Sequence, residues 1–391
     1  GKSIALLRAD GPQFIVEARD TTSFALAGAL APEPGGKLRA VDWSADGHLL
    51  VWASVTHDTF ANEVHIGSFI KTTRDKDTVR EFRRVMALTP QATNPVILLA
   101  KENDIINIGI TAVWPGTAKE PGKVRIGKMT RYGALAAWSV MDADLKTGDG
   151  KIIVQGNEHT ETFILDANSE VVGRVDTDDK KNVWTLFARD GNSWRSIYSA
   201  TSDTGESPIV SATLPDGRFA AIGRIGDDDR DSLAAIDPKT GQTTKLFSDA
   251  RYDVGGYIKD RWTNTIVGAS HVADFSTQTF FDPQLQKVRD AVAAKFPNTY
   301  ALLESWDAAR SLFVVRAQAS GGPPALYLYR AAQGQLQRLG SLYPSVDDAS
   351  SGQRVALTYK ARDGTPIPSY LTTPVGQPMK NLPLVMLVHG G

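Results

Sequence analysis

The chain alternates short apolar runs with turns rich in glycine, aspartate, proline and asparagine from Ile4 to Tyr343. Clear examples of the apolar runs are residues 48–54, 95–100, 219–224 and 325–330. Strands of about five residues at this spacing are typical of an all-β sandwich, barrel or propeller. The pattern therefore predicts a mainly β fold.

A degenerate repeat decides among these architectures. From Asp42 to Trp52 the chain places an aromatic residue, a polar turn with Asp-Gly and an apolar strand in succession. Weaker copies of this order occur at residues 187–191, 213–222 and 306–315, and a matching Asp-x-x-Thr-Gly turn occupies residues 237–241. Asp216 and Asp307 lie about two periods of 45 residues apart, which fits propeller blades. We expect about seven blades within residues 1–343.

One segment departs from the β pattern. Four apolar residues recur at intervals of three and four from position 285 to 296, namely Leu285, Val288, Val292 and Phe296. Asp282 is placed to cap the N-terminus, with Pro283 in the first turn. The spacing predicts a short amphipathic helix near 283–296, to which we assign no catalytic role.

The C-terminal stretch predicts a hairpin followed by a buried strand. Residues 354–360 and 366–373 are extended runs joined by a turn with Asp363 and Gly364, a strong hairpin signal. The apolar run Leu384–Val388 then leads into His389, Gly390 and Gly391. An apolar run without polar alternation suits a strand buried on both faces. Glycines after it let backbone N–H groups approach an oxyanion, although an ordinary strand with a Gly-Gly turn gives the same pattern.

The stretch from Val355 to Gly391 resembles the start of the catalytic domain in the prolyl oligopeptidase family of serine peptidases, where it follows a β-propeller. The resemblance implies a mainly β fold with an about seven-bladed β-propeller (1–343), followed by the truncated start of an α/β-hydrolase domain (344–391). It also implies that Gly390 and Gly391 form the entry to the oxyanion loop and that His389 positions that loop. The helix near 283–296 is similar to an insertion in acylaminoacyl-peptidase-like members.

The family's mechanism uses a Ser, Asp and His triad in that chain order. A Gly-x-Ser-x-Gly elbow is absent from the sequence. The resemblance therefore implies that the triad lies beyond Gly391, that His389 is not the catalytic base, and that this chain alone does not hydrolyse substrate. We expect the remainder of the hydrolase domain, in the same or a second chain, as a partner.

Composition excludes several classes of function. With 43 basic and 44 acidic residues the net charge is −1, which gives no electrostatic case for nucleic acid or an anionic membrane. The absence of cysteine excludes disulfides and a thiol nucleophile. No cofactor is expected, and His57 with His65 is only a weak metal pattern. No signal-peptide pattern is visible, and we expect the chain to begin within a blade, so both a cytoplasmic and a periplasmic location stay open.

Function follows from the resemblance. We expect a serine peptidase that hydrolyses short peptides as a dipeptidyl, acylaminoacyl or oligopeptidase, with the propeller restricting access. The alternatives are a lasso-peptide isopeptidase of the same architecture, a hydrolase of esters or sugars, and a non-catalytic propeller that binds a partner. Candidates for binding a short peptide substrate are Arg131, Tyr132, Trp194 and Arg195. The simpler interpretation is that these are ordinary surface side chains. Self-association is left open.

Overall fold

The computed structural model describes residues 1–58, 79–101, 105–116, 120–133, 135–201, 207–225, 229–297, 299–319, 321–346 and 351–388. Within these ranges 57% of the chain is strand and there is one helix. None of the helical structure described is long and apolar enough to cross a membrane. The chain forms two compact units, Gly1–Ala269 and Ser270–Gly391.

The first unit is a succession of small antiparallel sheets. Its first four sheets are β1 (Ser3–Asp10), β2 (Gln13–Asp20) and β3 (Leu26–Leu30); β4 (Gly36–Trp43), β5 (Leu49–Asp58), β6 (Val79–Leu88) and β7 (Val96–Ile97); β8 (Ile105–Trp114), β9 (Lys123–Tyr132), β10 (Leu135–Asp144) and β11 (Gly150–Gln155); and β12 (Thr160–Leu165), β13 (Val171–Asp178), β14 (Val183–Asp190) and β15 (Ser193–Thr201). Each strand pairs with its neighbours in chain order, as propeller blades do.

The same arrangement continues towards residue 341. The next strands are β16 (Ile209–Thr213), β17 (Phe219–Gly223), β18 (Ser232–Ile236), β19 (Thr243–Phe247), β20 (Val254–Asp260), β21 (Thr265–Val272) and β22 (Ser276–Phe280). In the second unit follow α1 (Pro283–Ala293), β23 (Thr299–Trp306), β24 (Leu312–Ala319), β25 (Ala325–Arg330), β26 (Gln335–Ser341), β27 (Arg354–Lys360) and β28 (Pro366–Thr372). Strands β16–β22 are joined in one seven-stranded sheet, because β16 pairs in parallel with β21 at Thr213 and Thr265, whereas β23–β26 form a four-stranded sheet. Counted in chain order among the described residues, the strands before β27 fall into seven groups.

The spacing of these groups agrees with the repeat in the sequence. The first strands of the last four groups begin at residues 160, 209, 254 and 299, so successive intervals are 45 to 49 residues. The second group is longer because residues 59–78, outside the described ranges, separate β5 from β6. The predicted blade period near 45 residues is confirmed where the copies are regular.

Strand β17 shows how adjacent sheets share residues. All five of its residues are buried. Phe219 and Ala221 join the core formed with β13 and β14, whereas Ala220 and Ile222 join the core formed with β20 and β21. Since successive side chains of a strand point to opposite faces, one short strand contributes to two hydrophobic cores. This is why an uninterrupted apolar run, rather than an alternating one, marks such a strand.

The repeated aromatic–Asp-Gly turn fastens one sheet to the next. Asp46 accepts hydrogen bonds at Oδ1 from Ser44 and at Oδ2 from the Gly122 N–H (2.6 Å), which belongs to the turn before β9. The Ala45 N–H donates to the Pro115 carbonyl at 2.8 Å. Gly47 has a φ of +91°, which L-residues with a side chain rarely adopt. The motif therefore has a structural role: it sets the conformation of the turn and links the second sheet to the third.

Helix α1 begins where the sequence predicts it. Asp282 Oδ1 accepts hydrogen bonds from the N–H groups of Gln284 (2.9 Å) and Leu285 (3.1 Å), and its Oδ2 accepts one from Arg310 Nη1 (2.7 Å). The helix ends at Ala293, three residues short of the predicted end, and Phe296 instead packs edge-on against Tyr327. Its apolar face is thus completed by a turn residue rather than by another helical turn.

We predict that Asp282→Ala lowers the free energy of unfolding by about 1–2 kcal/mol, because it removes the helix cap and the partner of Arg310. Burial alone would raise the pKa of Asp282, but Arg310 and the Leu285 and Gln284 N–H groups outweigh it and lower the pKa. The stabilisation is therefore present above the ordinary carboxyl pKa and is lost as pH falls through the lowered value. Urea unfolding at pH 7 and pH 3 measures it.

The matched control is Lys287→Ala, an exposed position on the same helix. Equal losses in the two variants at pH 7, or a loss in Asp282→Ala that does not shrink on acidification, would contradict the assignment.

Candidate functional site

The predicted C-terminal hairpin is present. Strands β27 and β28 pair from Arg354–Thr372 to Lys360–Pro366. The Thr365 N–H donates to Asp363 Oδ1 at 2.9 Å, and Gly364 has a φ of +87°. Within the second unit, the Tyr370 hydroxyl donates to Asp274 Oδ1 at 3.0 Å. The hairpin is thus locally specified and is fixed to the turn between β21 and β22.

The apolar run after the hairpin does not form the strand that the sequence predicts. Residues Leu384–Val388 carry no strand pairing, and their side chains are exposed, Val385 to 89% and Leu387 to 94%. The prediction of a buried strand is therefore wrong for this chain. The physical reason is that a strand buried on both faces needs neighbouring strands and covering helices, and in the described residues the nearby hairpin pairs only with itself.

The residues assigned to the oxyanion-loop entry, His389, Gly390 and Gly391, lie outside the described residues. Their roles remain predictions. The side chains of His57 and His65 also lie outside them. Among the residues that are described, no three His, Asp or Glu side chains gather as metal ligands.

The four residues proposed to grip substrate lie on two different sheets. Arg131 and Tyr132 end β9 and are exposed, whereas Trp194 and Arg195 open β15. The Trp194 ring packs on Phe163 at 6.2 Å between centroids. Arg195 Nη2 donates to the Pro238 carbonyl at 2.8 Å. Their contacts show a packing role for Trp194 and a loop contact for Arg195, and leave Arg131 and Tyr132 as surface residues.

A cationic group that sequence reasoning missed lies at the end of β20. Burial lowers the pKa of Lys259 to about 8 and that of Arg261 to about 10, and it raises the pKa of Tyr257. Tyr257 and Lys259 share one face of β20, and Arg261 follows at the start of the next turn. Desolvated charges of this kind concentrate at functional sites. The only signal in the sequence is the alternation of Tyr, Lys and Arg, which any exposed strand shows as well.

Arg261 reaches across to the second sheet. Its Nη1 forms an ion pair with Asp42 Oδ1, at the end of β4, and its guanidinium lies 5.3 Å from the centre of the Trp262 ring. The Arg261 side chain is 17% exposed and that of Asp42 is 45% exposed. A contact between residues so distant in sequence fixes the ends of β4 and β20 relative to each other.

Asp42 also lines a cavity of about 460 Å³ on the second sheet, the Asp42 cavity. The other lining residues are Arg39, Ala40, Val41, Trp52, Ala53, Glu81 and Arg83. Arg39 donates through Nε to Ser54 Oγ (2.9 Å) and pairs through Nη2 with Glu81. The cavity therefore has an aromatic wall, Trp52, and lining charges that balance, with two arginines and two carboxylates.

Comparison with known proteins finds similarity to peptidases in both sequence and structure. No family model matches the chain. Dipeptidyl aminopeptidase BIII of Pseudoxanthomonas mexicana is 23% identical over 288 residues, which are 70% of this chain and 40% of that protein. The chain is therefore similar to peptidases of the prolyl oligopeptidase family. It spans less than half the length of this curated relative.

Solved structures show the fold of the chain. A chain from a study of two prolyl endopeptidases matches with a TM-score of 0.55 at 10% identity, over 94% of this chain and 52% of its own. Puromycin hydrolase gives 0.54 at 15% identity, over 98% and 59%. Prolyl oligopeptidase B from Galerina marginata gives 0.52 at 10% identity, over 92% and 52%. The predicted fold class, mainly β with a β-propeller, is confirmed, and the start of an α/β-hydrolase domain after it stays a prediction.

We predict that Lys259→Met raises the free energy of unfolding at pH 7 by up to about 3 kcal/mol, because the buried ammonium no longer has to be desolvated. The folded-state pKa of about 8 lies below the ordinary 10.5. Between these two pKa values the unfolded chain therefore binds more protons than the folded chain. The free energy of unfolding of the unsubstituted chain should consequently rise with pH from about 8 towards 10. Urea unfolding at several pH values measures this slope.

Lys151→Met, an exposed position on β11, is the control and should keep the slope of the unsubstituted chain. Parallel pH curves for Lys259→Met and the unsubstituted chain would show that Lys259 has an ordinary pKa.

Proposed function

We propose that this chain supplies the substrate-gating propeller and the oxyanion-loop entry of a serine peptidase that hydrolyses short peptides. The observation that carries the proposal is the match of 288 residues to a dipeptidyl aminopeptidase, which favours the dipeptidyl type over the acylaminoacyl and oligopeptidase types. The catalytic serine, aspartate and histidine belong to the remainder of the hydrolase domain, in the same or a second chain.

The exposed apolar run supports the presence of that remainder. Val385, Met386 and Leu387 expose 89%, 69% and 94% of their surface, a contiguous apolar segment of the kind that marks an interaction site. An open α/β sheet provides the complement that such a run lacks, because it pairs the backbone on both sides and covers both faces. We infer that the run becomes an inner strand of the hydrolase sheet, and that the loop from His389 then meets the nucleophile.

The experiment is fluorophosphonate labelling of the native polypeptide that contains this sequence, followed by peptide mapping. We expect one labelled serine and release of dipeptides from unblocked peptide amides, since the N-terminal amine must be free for that specificity. The isolated 391-residue chain should remain unlabelled. A native polypeptide that never labels, alone or with its co-purifying chains, would identify the propeller as a binding module instead.

A second prediction concerns the apolar run itself. In the native polypeptide, Leu387→Asp should reduce labelling at least tenfold, because a charge inside a sheet covered on both faces is strongly destabilising. Met379→Asp, which is 64% exposed in the connection before the run, is the matched control and should label normally. Equal labelling of both variants would show that the run stays outside the hydrolase core.

A further inference from the structure

The C-terminal hairpin of β27 and β28 pairs with no other strand among the described residues, so other contacts must hold it in place. The Tyr370 hydroxyl donates a hydrogen bond to Asp274 Oδ1 at 3.0 Å, across 96 residues of sequence. The Arg354 guanidinium, on the other strand of the hairpin, lies 5.5 Å from the centre of the Tyr370 ring. Arg354 thus holds the phenol ring on the hairpin, and the hydroxyl attaches it to the turn between β21 and β22.

The turn that accepts this hydrogen bond is itself fixed to the sheet of strands β23–β26, the last sheet. Within the turn, the Ala273 N–H donates to the Phe275 carbonyl at 3.1 Å. The Phe275 ring stacks on Tyr300 of β23, with the ring centroids 5.2 Å apart. The Tyr300 hydroxyl in turn donates to Gln318 Oε1 of β24 at 2.6 Å. The position of Asp274 is therefore set by the last sheet.

The base of the hairpin forms a second attachment, and this one is made by the backbone. The Thr373 N–H donates to the Gln353 carbonyl at 3.4 Å. A Cβ atom on Gly352 would lie 1.7 Å from the Thr373 carbonyl oxygen, and one on Gly321 would lie 2.3 Å from the Gly352 carbonyl oxygen. The base thus packs closely against the turn between β24 and β25. A hairpin held only at its base can pivot, and the Tyr370 hydrogen bond supplies the second point that prevents this.

We propose that Tyr370 is a positioning residue that, through Asp274, sets the angle between the hairpin and the last sheet, and with it the placement of the catalytic domain on its substrate. The inference rests on the proposed function, in which the hairpin is the first part of that domain. A peptide that contacts both the propeller and the catalytic serine is cleaved only when the two are held in the right geometry. A small reagent that reacts with the serine alone does not need this geometry.

The first test measures the position of the hairpin in the 391-residue chain, which contains no cysteine, so spin labels attach only at introduced ones. Thr358→Cys on β27 and Gln335→Cys on β26 are exposed labelling sites, and double electron–electron resonance measures the distance between them. We expect one narrow distance distribution that roughly doubles in width in Tyr370→Phe and in Asp274→Ala, because each removes the hydrogen bond. Asp274→Asn, whose amide oxygen still accepts from the hydroxyl, should keep it narrow.

Tyr359→Phe, at an exposed tyrosine of the same hairpin, is the matched control and should also keep the distribution narrow. Circular dichroism confirms that each variant is folded. A distribution that stays narrow in Tyr370→Phe overturns the proposal, and so does equal broadening in Tyr359→Phe.

The second test uses the native polypeptide. Tyr370→Phe should lower kcat/KM for an unblocked dipeptide amide about fivefold, the factor expected for the loss of one hydrogen bond, while the rate of fluorophosphonate labelling stays unchanged. Equal losses of turnover and labelling would show general damage and overturn the positioning role. A native polypeptide that never labels would instead remove the peptidase function, and the distance distribution would still decide whether Tyr370 positions the hairpin.

Discussion

The fold of the first unit depends on hydrophobic cores that successive sheets share between their faces. In β17 the alternation of Phe219 and Ala221 with Ala220 and Ile222 divides one strand between two cores. A single four-stranded sheet could not bury enough apolar surface to be stable, so every blade depends on its neighbours. The strand bounds, the period near 45 residues and the turns that link successive sheets follow from this requirement.

The same requirement explains why the apolar run after the hairpin is left exposed. The run from Leu384 to Val388 has the composition of an inner strand but neither partner strands nor covering elements in the described residues, and its side chains lie in solvent. The hairpin before it is complete because an Asp-Gly turn and cross-strand pairing need only local residues. The proposed catalytic domain is a physical complement for that surface.

The charged residues differ from the apolar ones in how far their neighbours stabilise them. Some charges, such as Asp282 with Arg310, are paired and stabilise a turn or a helix end. The Lys259 and Arg261 group is an exception, because burial disfavours its charges and Asp42 neutralises only one of them. A fold stabilised by apolar contacts between sheets can tolerate such a cost at one place.

The sequence by itself determined the elements whose signals are local. The Asp-Gly turns, the blade period, the Asp282 cap and the 354–373 hairpin are set by backbone preferences and by alternation within a few residues, and they are found as predicted. Only the tertiary structure decided that Leu384–Val388 stays unpaired and that Trp194 packs against Phe163. It alone brought Arg261 to Asp42 and left Lys259 without an ion-pair partner among the described residues. Burial and charge balance depend on residues far apart in the chain, and no local pattern records which of them meet.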